Sequence, residues 1–207
     1  LCLTTLCGFD SLGLLSSRPC RPFDVARDGI SIGEAAAFIL LERVPDSLDA
    51  GAMLLRGVGE SSDAYHMSSP HPQGLGARLA MQQALDSAGL QAAQIDYINL
   101  HGTATPGNDA AEGLAVAAVF GAATPPCSST KGATGHTLGA AGALEAVISA
   151  LSLQQGLMPA GVHTEHVDPA LGVHYLLDDR EQRVSNVLSN SFGFGGTNCS
   201  LVFGRAG

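Results

Sequence analysis

Charge is scarce in this sequence. Asp, Glu, Lys and Arg make up 14% of its 207 residues, where about a quarter is usual, while 45% are hydrophobic. A chain of that composition buries a core, which excludes disorder. The charge that is present runs negative, with 10 basic against 19 acidic residues and a net of −9. Nucleic acid, a polyanion, would be repelled by most of such a surface. Long apolar runs are also missing: none approaches the roughly 18 residues of a membrane span, and no basic segment precedes Leu1-Cys2-Leu3. No membrane association is expected. Cys2, Cys7, Cys20, Cys127 and Cys199 are odd in number, dispersed and without a Cys-x-x-Cys pair, so neither a disulfide framework nor a metal site is indicated. A cytoplasmic, reducing setting is expected. Lysine occurs once, at Lys131, against nine arginines. Where arginine replaces lysine so thoroughly, the lysine that remains is a candidate for specific chemistry.

No initiator methionine opens the chain, and Leu1 begins inside an apolar stretch, so a part of something longer is expected. Ala35 to Leu41 read as a strand buried on both faces, closed by the turn-rich Pro45 to Gly51, the best domain boundary. Ala52 to Val58 form a second strand, followed by a polar loop from Ser61 to Pro72. Apolar positions at helical spacing run from Gln73 to Ser87, with Gly89 as the stop. Ile95 to Leu100 read as a strand that delivers His101 at its carboxyl end. Helices are expected over Asp109 to Phe120 and over Thr137 to Gln155, the second closed by Gly156. Three strands complete the chain: Gly172 to Leu177, Val184 to Ser191 and Asn198 to Phe203. This alternation predicts an α/β fold with an antiparallel pair at the end.

Four clusters carry chemistry. His101-Gly102-Thr103-Ala104-Thr105 lies between a strand end and the next helix, where open α/β sheets bind ligands. His101 can serve there as acid, base or donor, or simply as a hydrogen-bonded loop residue. Gly102 admits close approach, and Thr103 and Thr105 offer two hydroxyls. In the glycine-rich stretch from Ser129 to Gly142, Lys131 and His136 stand five apart at the entry to a helix. A helix N-terminus disfavours imidazolium and keeps His136 neutral, able to donate to a carbonyl oxygen. That helix is apolar nearly all round, so it should be buried, and Glu145 in its middle needs a cation or donors. Lys131 is the nearest candidate, with an arginine or backbone donors as the alternative. Asp109 and Glu112 have the spacing of a capping box, a structural role that could be their whole purpose. Gly193-Phe194-Gly195-Gly196 sets one ring among glycines, which suits either a gate over a pocket or a tight turn.

Together with Pro22-Phe23-Asp24 and Arg27-Asp28-Gly29, these clusters resemble the β-ketoacyl-[acyl-carrier-protein] synthases of the thiolase superfamily, in the family's motif order and over nearly the whole chain. The resemblance implies the C-terminal half of the thiolase-like fold, a mixed sheet covered by helices, from residue 52 onward. Residues 1–45 would be the last segment of the N-terminal half. It implies decarboxylative Claisen condensation in fatty acid or polyketide synthesis. His101 and His136 would hold the malonyl thioester carbonyl, Lys131 and Glu145 would support them, and Asp109 and Glu112 would extend that network. Thr103 and Thr105 would meet the phosphopantetheine arm, which arrives on the carrier protein, so no cofactor resides in the chain. Phe194, Gly193 and Gly195 would form the gate. The implied partners are acyl carrier protein, the N-terminal half of the same synthase, and a second copy in a homodimer. Two departures stand out. Gly33-Glu34-Ala35-Ala36-Ala37 replaces a more glycine-rich turn, and the family's Cys-Ser-Ser-type nucleophile elbow is missing, since Cys127 precedes two serines but sits in the Lys131 loop. Condensation by this chain alone is therefore not expected. The competing expectation is a non-catalytic chain-length-factor-like partner, to which a retained His, His and Lys cluster would be of no use. A degradative thiolase would need a Cys-x-Gly turn, which Cys199-Ser200-Leu201 does not supply.

Overall fold

Adjacent hydrophobic residues in the central strands point to opposite faces, and this alternation builds a core on each side of one sheet. A computed structural model describes residues 1–206. Its elements run α1 (Leu3–Ser11), β1 (Met53–Ser62), α2 (Leu75–Ala88), β2 (Tyr97–Asn99), α3 (Pro106–Phe120), β3 (Cys127–Ser128), α4 (Lys131–Thr134), α5 (Ala141–Gln155), β4 (Leu157–Met158), β5 (Arg180–Glu181), β6 (Asn186–Gly193) and β7 (Thr197–Arg205). Five strands form a mixed sheet in the order β1-β7-β6-β2-β3. β7 is antiparallel to both β1 and β6, whereas β2 lies parallel to β6 and β3. Ile98, Leu188 and Val202 meet α2 and α3 on one face, with Met81, Leu85, Val116 and Phe120. Tyr97, Val187 and Phe203 meet α5 on the other, with Ala146 and Leu153. β4 and β5 pair separately.

Several expectations need correction. Ala35 to Leu41 form no strand: the run is irregular, with Phe38 95% and Leu40 83% exposed. Its composition suits a doubly covered strand, but no strand among the described residues pairs with it. Gly172 to Leu177 is not a strand either. It lies beside β3, which is two residues long, and bonds to it at Cys127 alone through one bridge with Tyr175. The last helix begins at Ala141, after a short 3-10 turn, and one side stays open, with Leu151 44% exposed. α3 starts three residues earlier than expected, because Thr105 caps it and Pro106 occupies its first turn, where no amide partner is needed.

Candidate active site

His101 leaves the end of β2 into a turn whose amides point at α3. Glu112 receives them first: its Oε1 accepts the His101 N–H and its Oε2 the Gly102 N–H, both at 2.8 Å. One turn earlier, Asp109 Oδ1 accepts from Thr103 N at 3.1 Å and Ala104 N at 3.2 Å, and Oδ2 accepts from Phe23 N at 2.8 Å. Residues three apart share a helix face, which allows two carboxylates to hold four consecutive amides. Asp109 and Glu112 are thus not a capping box, as their spacing suggested. Their acceptors serve the preceding loop, and Asp109 lies inside the helix that Thr105 caps. Burial pushes the Glu112 carboxyl up to about 7 against the pull of its N–H donors, and raises Asp109 for the same reason.

Lys131, 1% exposed, reaches into this loop. Its ammonium donates to Glu145 Oε1, to the carbonyl oxygen of His101, and to His101 Nδ1 at 3.4 Å. An ammonium has three N–H groups, and these partners use all three. Because the ammonium can only donate, His101 Nδ1 must accept, which leaves the ring proton on Nε2. The expected Lys131 and Glu145 pair is present inside the protein. Burial raises the Glu145 carboxyl, and Lys131 opposes that rise.

His136 is held differently. Its N–H donates to Ser31 O at 2.7 Å, and its carbonyl accepts from Gly33 N at 3.0 Å, a two-bond bridge between distant segments. The approach requires glycine on both sides: a Cβ on Gly33 would lie 2.0 Å from Thr134 O, and Gly135 has φ +67°. The next backbone turn supplies the tautomer, because Leu138 N–H donates to His136 Nδ1 at 3.2 Å, again leaving the proton on Nε2. Leu138 reaches that position with φ +54°, a left-handed backbone that a leucine rarely adopts. The two imidazoles stand edge to face with centroids 5.3 Å apart and planes at 82°. Burial first, and Lys131 second, pushes His136 down to about 3. His101 falls well below the usual histidine range through burial, then Lys131, then His136. Burial, rather than the helix terminus invoked from the sequence, is the leading cause of neutrality at His136.

Both rings line one cavity of about 350 Å³. Thr103 and Thr105 share its wall, their hydroxyls 2.8 Å apart, and so do Gly193 and Phe194. Gly195 belongs to the same turn but is not on the wall. Phe194, half exposed, stacks on Phe9 at 5.7 Å. Thus the cavity brings together both histidines, both threonines and the Phe194 ring, while Lys131, Glu145, Asp109 and Glu112 stand behind them. No cysteine lines the cavity, and Cys127 is buried with its thiol pushed well up by that burial. Among the described residues no three His, Cys, Asp or Glu side chains are grouped to hold a metal ion.

Sequence reasoning missed several members of the site. Asn190 donates to Glu112 Oε1 at 3.1 Å and accepts from Ser200 at 2.8 Å. Asp63 accepts from His71 N at 3.0 Å and Asn198 Nδ2 at 3.1 Å, tying the loop after β1 to the Phe194 turn. The available signal was a polar residue at a position the strand pattern makes inward-facing, as Asn190 is in β6.

Comparison with known proteins places these features in context. The model for the β-ketoacyl synthase C-terminal domain matches residues 53–165, and the model for the N-terminal domain matches residues 1–47. The chain is 45% identical over 192 residues to the mitochondrial 3-oxoacyl-[acyl-carrier-protein] synthase of Arabidopsis thaliana, an alignment covering 88% of this chain and 42% of that protein. Among solved structures, a ketosynthase in complex with its chain length factor from Xenorhabdus doucetiae superposes with TM-score 0.86 at 43% identity, over 100% of this chain and 51% of that one. A type II polyketide acyl-carrier protein in complex with its ketosynthase gives TM-score 0.88 at 26% identity, over 100% of this chain and 54% of that one. The chain spans about half the length of the curated relatives it matches. No helix among the described residues is long and apolar enough to cross a membrane.

Proposed function

The chain belongs to the β-ketoacyl synthase family, and from that premise we propose that it carries the decarboxylating half of a condensing site, acting on a malonyl thioester. The observation that carries this reading is the pair of neutral imidazoles on one cavity, each with Nδ1 occupied by an obligate donor and Nε2–H left over. Two such donors form an oxyanion site for the thioester carbonyl. As the bond from the malonyl α-carbon to its carboxylate breaks, carbon dioxide leaves with no electrons from that bond, and the pair passes into the enolate, whose oxygen takes up the charge. The enolate carbon then attacks an acyl thioester, forming the carbon–carbon bond as the thiolate departs. Neutrality serves this step: beside the Lys131 ammonium an imidazolium would be repelled, whereas a neutral ring donates without bringing a second charge.

In this reading Thr103 and Thr105 meet the phosphopantetheine arm of an acyl carrier protein, and Phe194 with its glycine turn opens the way to the cavity. The acylated cysteine comes from the N-terminal half of the same synthase, since no cysteine of this chain faces the cavity, and the working assembly is a homodimer. Fatty acid and polyketide condensation fit the site equally. Five unpaired cysteines agree with a reducing compartment such as the cytoplasm. The non-catalytic alternative is disfavoured by the burial of Lys131 and Glu145, an arrangement costly to maintain where the histidines have nothing to do.

The test is release of carbon dioxide from malonyl-pantetheine. The chain is expected to decarboxylate without condensing, and His101→Ala or His136→Ala each to lower the rate about 10²–10³-fold, the effect of losing one oxyanion donor. Decarboxylation that survives both substitutions sinks the reading.

A further inference from the structure

Ser129 does not line the histidine cavity and takes no part in the chemistry above, yet its side chain joins the two loops that do. It is completely buried. Its hydroxyl donates to Gly102 O at 2.7 Å and accepts from Lys131 N at 3.3 Å. Its own N–H donates to Tyr175 Oη at 3.3 Å, which fixes the serine from a third side. The contact is as close as the backbone allows, since a Cβ on Gly102 would lie 2.4 Å from Ser129 Cβ. One oxygen therefore links the residue after His101 directly to the backbone of Lys131.

We propose that Ser129 is a positioning residue that clamps the His101 loop to the Lys131 turn and so keeps the lysine ammonium on His101 Nδ1. Lys131 has a flexible stem, and its contact with Nδ1, at 3.4 Å, has little length to lose before it ceases to be a hydrogen bond. The other bonds of the ammonium go to Glu145 and to the His101 carbonyl, neither of which fixes the imidazole proton. Without the Ser129 hydroxyl, a buried carbonyl and a buried N–H both lose their partners, and the two loops are free to separate. His101 would then divide between tautomers, and the Nδ1–H form offers no donor at Nε2.

This inference deepens the proposed reading of His101 and rests on it for its effect on rate, though not for its effect on the tautomer. The experiment is ¹⁵N NMR of the histidine side chains in the full chain, alongside malonyl-pantetheine decarboxylation, for wild type, Ser129→Ala and Ser129→Cys. In Ser129→Ala, His101 is expected to shift from Nε2–H to a tautomer mixture while His136 stays unchanged. The rate kcat should fall about 10-fold to 100-fold with KM nearly constant, the scale of a small misplacement of a reacting group. Cysteine is only slightly larger and is a weak donor, so Ser129→Cys should move His101 in the same direction, and it carries the test if the alanine variant does not fold. Wild-type tautomers at His101 in a folded variant overturn the clamp, whatever the rates. A tautomer shift in a chain whose wild type does not decarboxylate sustains the clamp and removes the proposed function instead.

Discussion

The loops that carry His101 and His136 deliver similar rings to one cavity by opposite means. Side chains hold the first: Asp109, Glu112 and Lys131 converge on its amides, its carbonyl and its Nδ1. Backbone holds the second: Ser31 and Gly33 bridge it, Leu138 fixes its Nδ1, and two glycines allow the approach. The difference teaches that His101 depends on buried charge, and so on pH and on substitutions that leave the backbone alone, whereas His136 depends on the course of the chain and will respond to added bulk.

The largest effect should come from Lys131→Met. It strands the Glu145 carboxylate and leaves His101 Nδ1 without a donor, so urea denaturation should show a loss of about 3–5 kcal/mol, the usual result of breaking a buried pair. The His136 tautomer should remain as it was, and a His136 disturbed as much as His101 would erase the contrast. Acid should act on both loops. Each histidine has a folded pKa below its unfolded value, so below about 6.5 the unfolded chain binds protons that the folded chain refuses. Their stabilisation is complete above that value and is lost as pH falls toward about 3 at His136, by about 1.4 kcal/mol per pH unit for each ring. Glu112, raised to about 7, acts in the opposite sense over much of this range, so the contribution of His136 is read against His136→Gln: urea midpoints of the two proteins that keep the same pH dependence between pH 7.5 and 5.5 would contradict this. Gly135→Ala should be sharp in its aim, costing about 1–3 kcal/mol for a side chain at φ +67° and ψ 175°, where its Cβ would also press on Gly33 N at 2.8 Å. It should shift the His136 ring resonances and leave those of His101 in place.

Much of this cluster was legible in the sequence. A sole lysine, a glutamate in an apolar helix and two histidines in glycine-rich turns announced the cluster by type and spacing alone. Asp109 and Glu112 were legible as partners but not in role, because carboxylates three apart look the same whether they cap their own helix or receive amides from the preceding loop. Ala35 to Leu41 misled because hydrophobicity reports what a segment could bury, and nothing among the described residues covers it. Leu138 gave no warning, since a leucine with positive φ has no sequence signature. Asp63 and Asn198 meet only because β1 and β7 pair, which periodicity does not reveal.

The central claim is that both imidazoles are neutral and carry their proton on Nε2. Nitrogen-15 spectra of the histidine side chains, followed from pH 8 to pH 5, read that state directly. The account predicts Nε2–H rings at His101 and His136 across the whole range. An imidazolium appearing at either ring near pH 6.5, or a proton found on Nδ1, would contradict it.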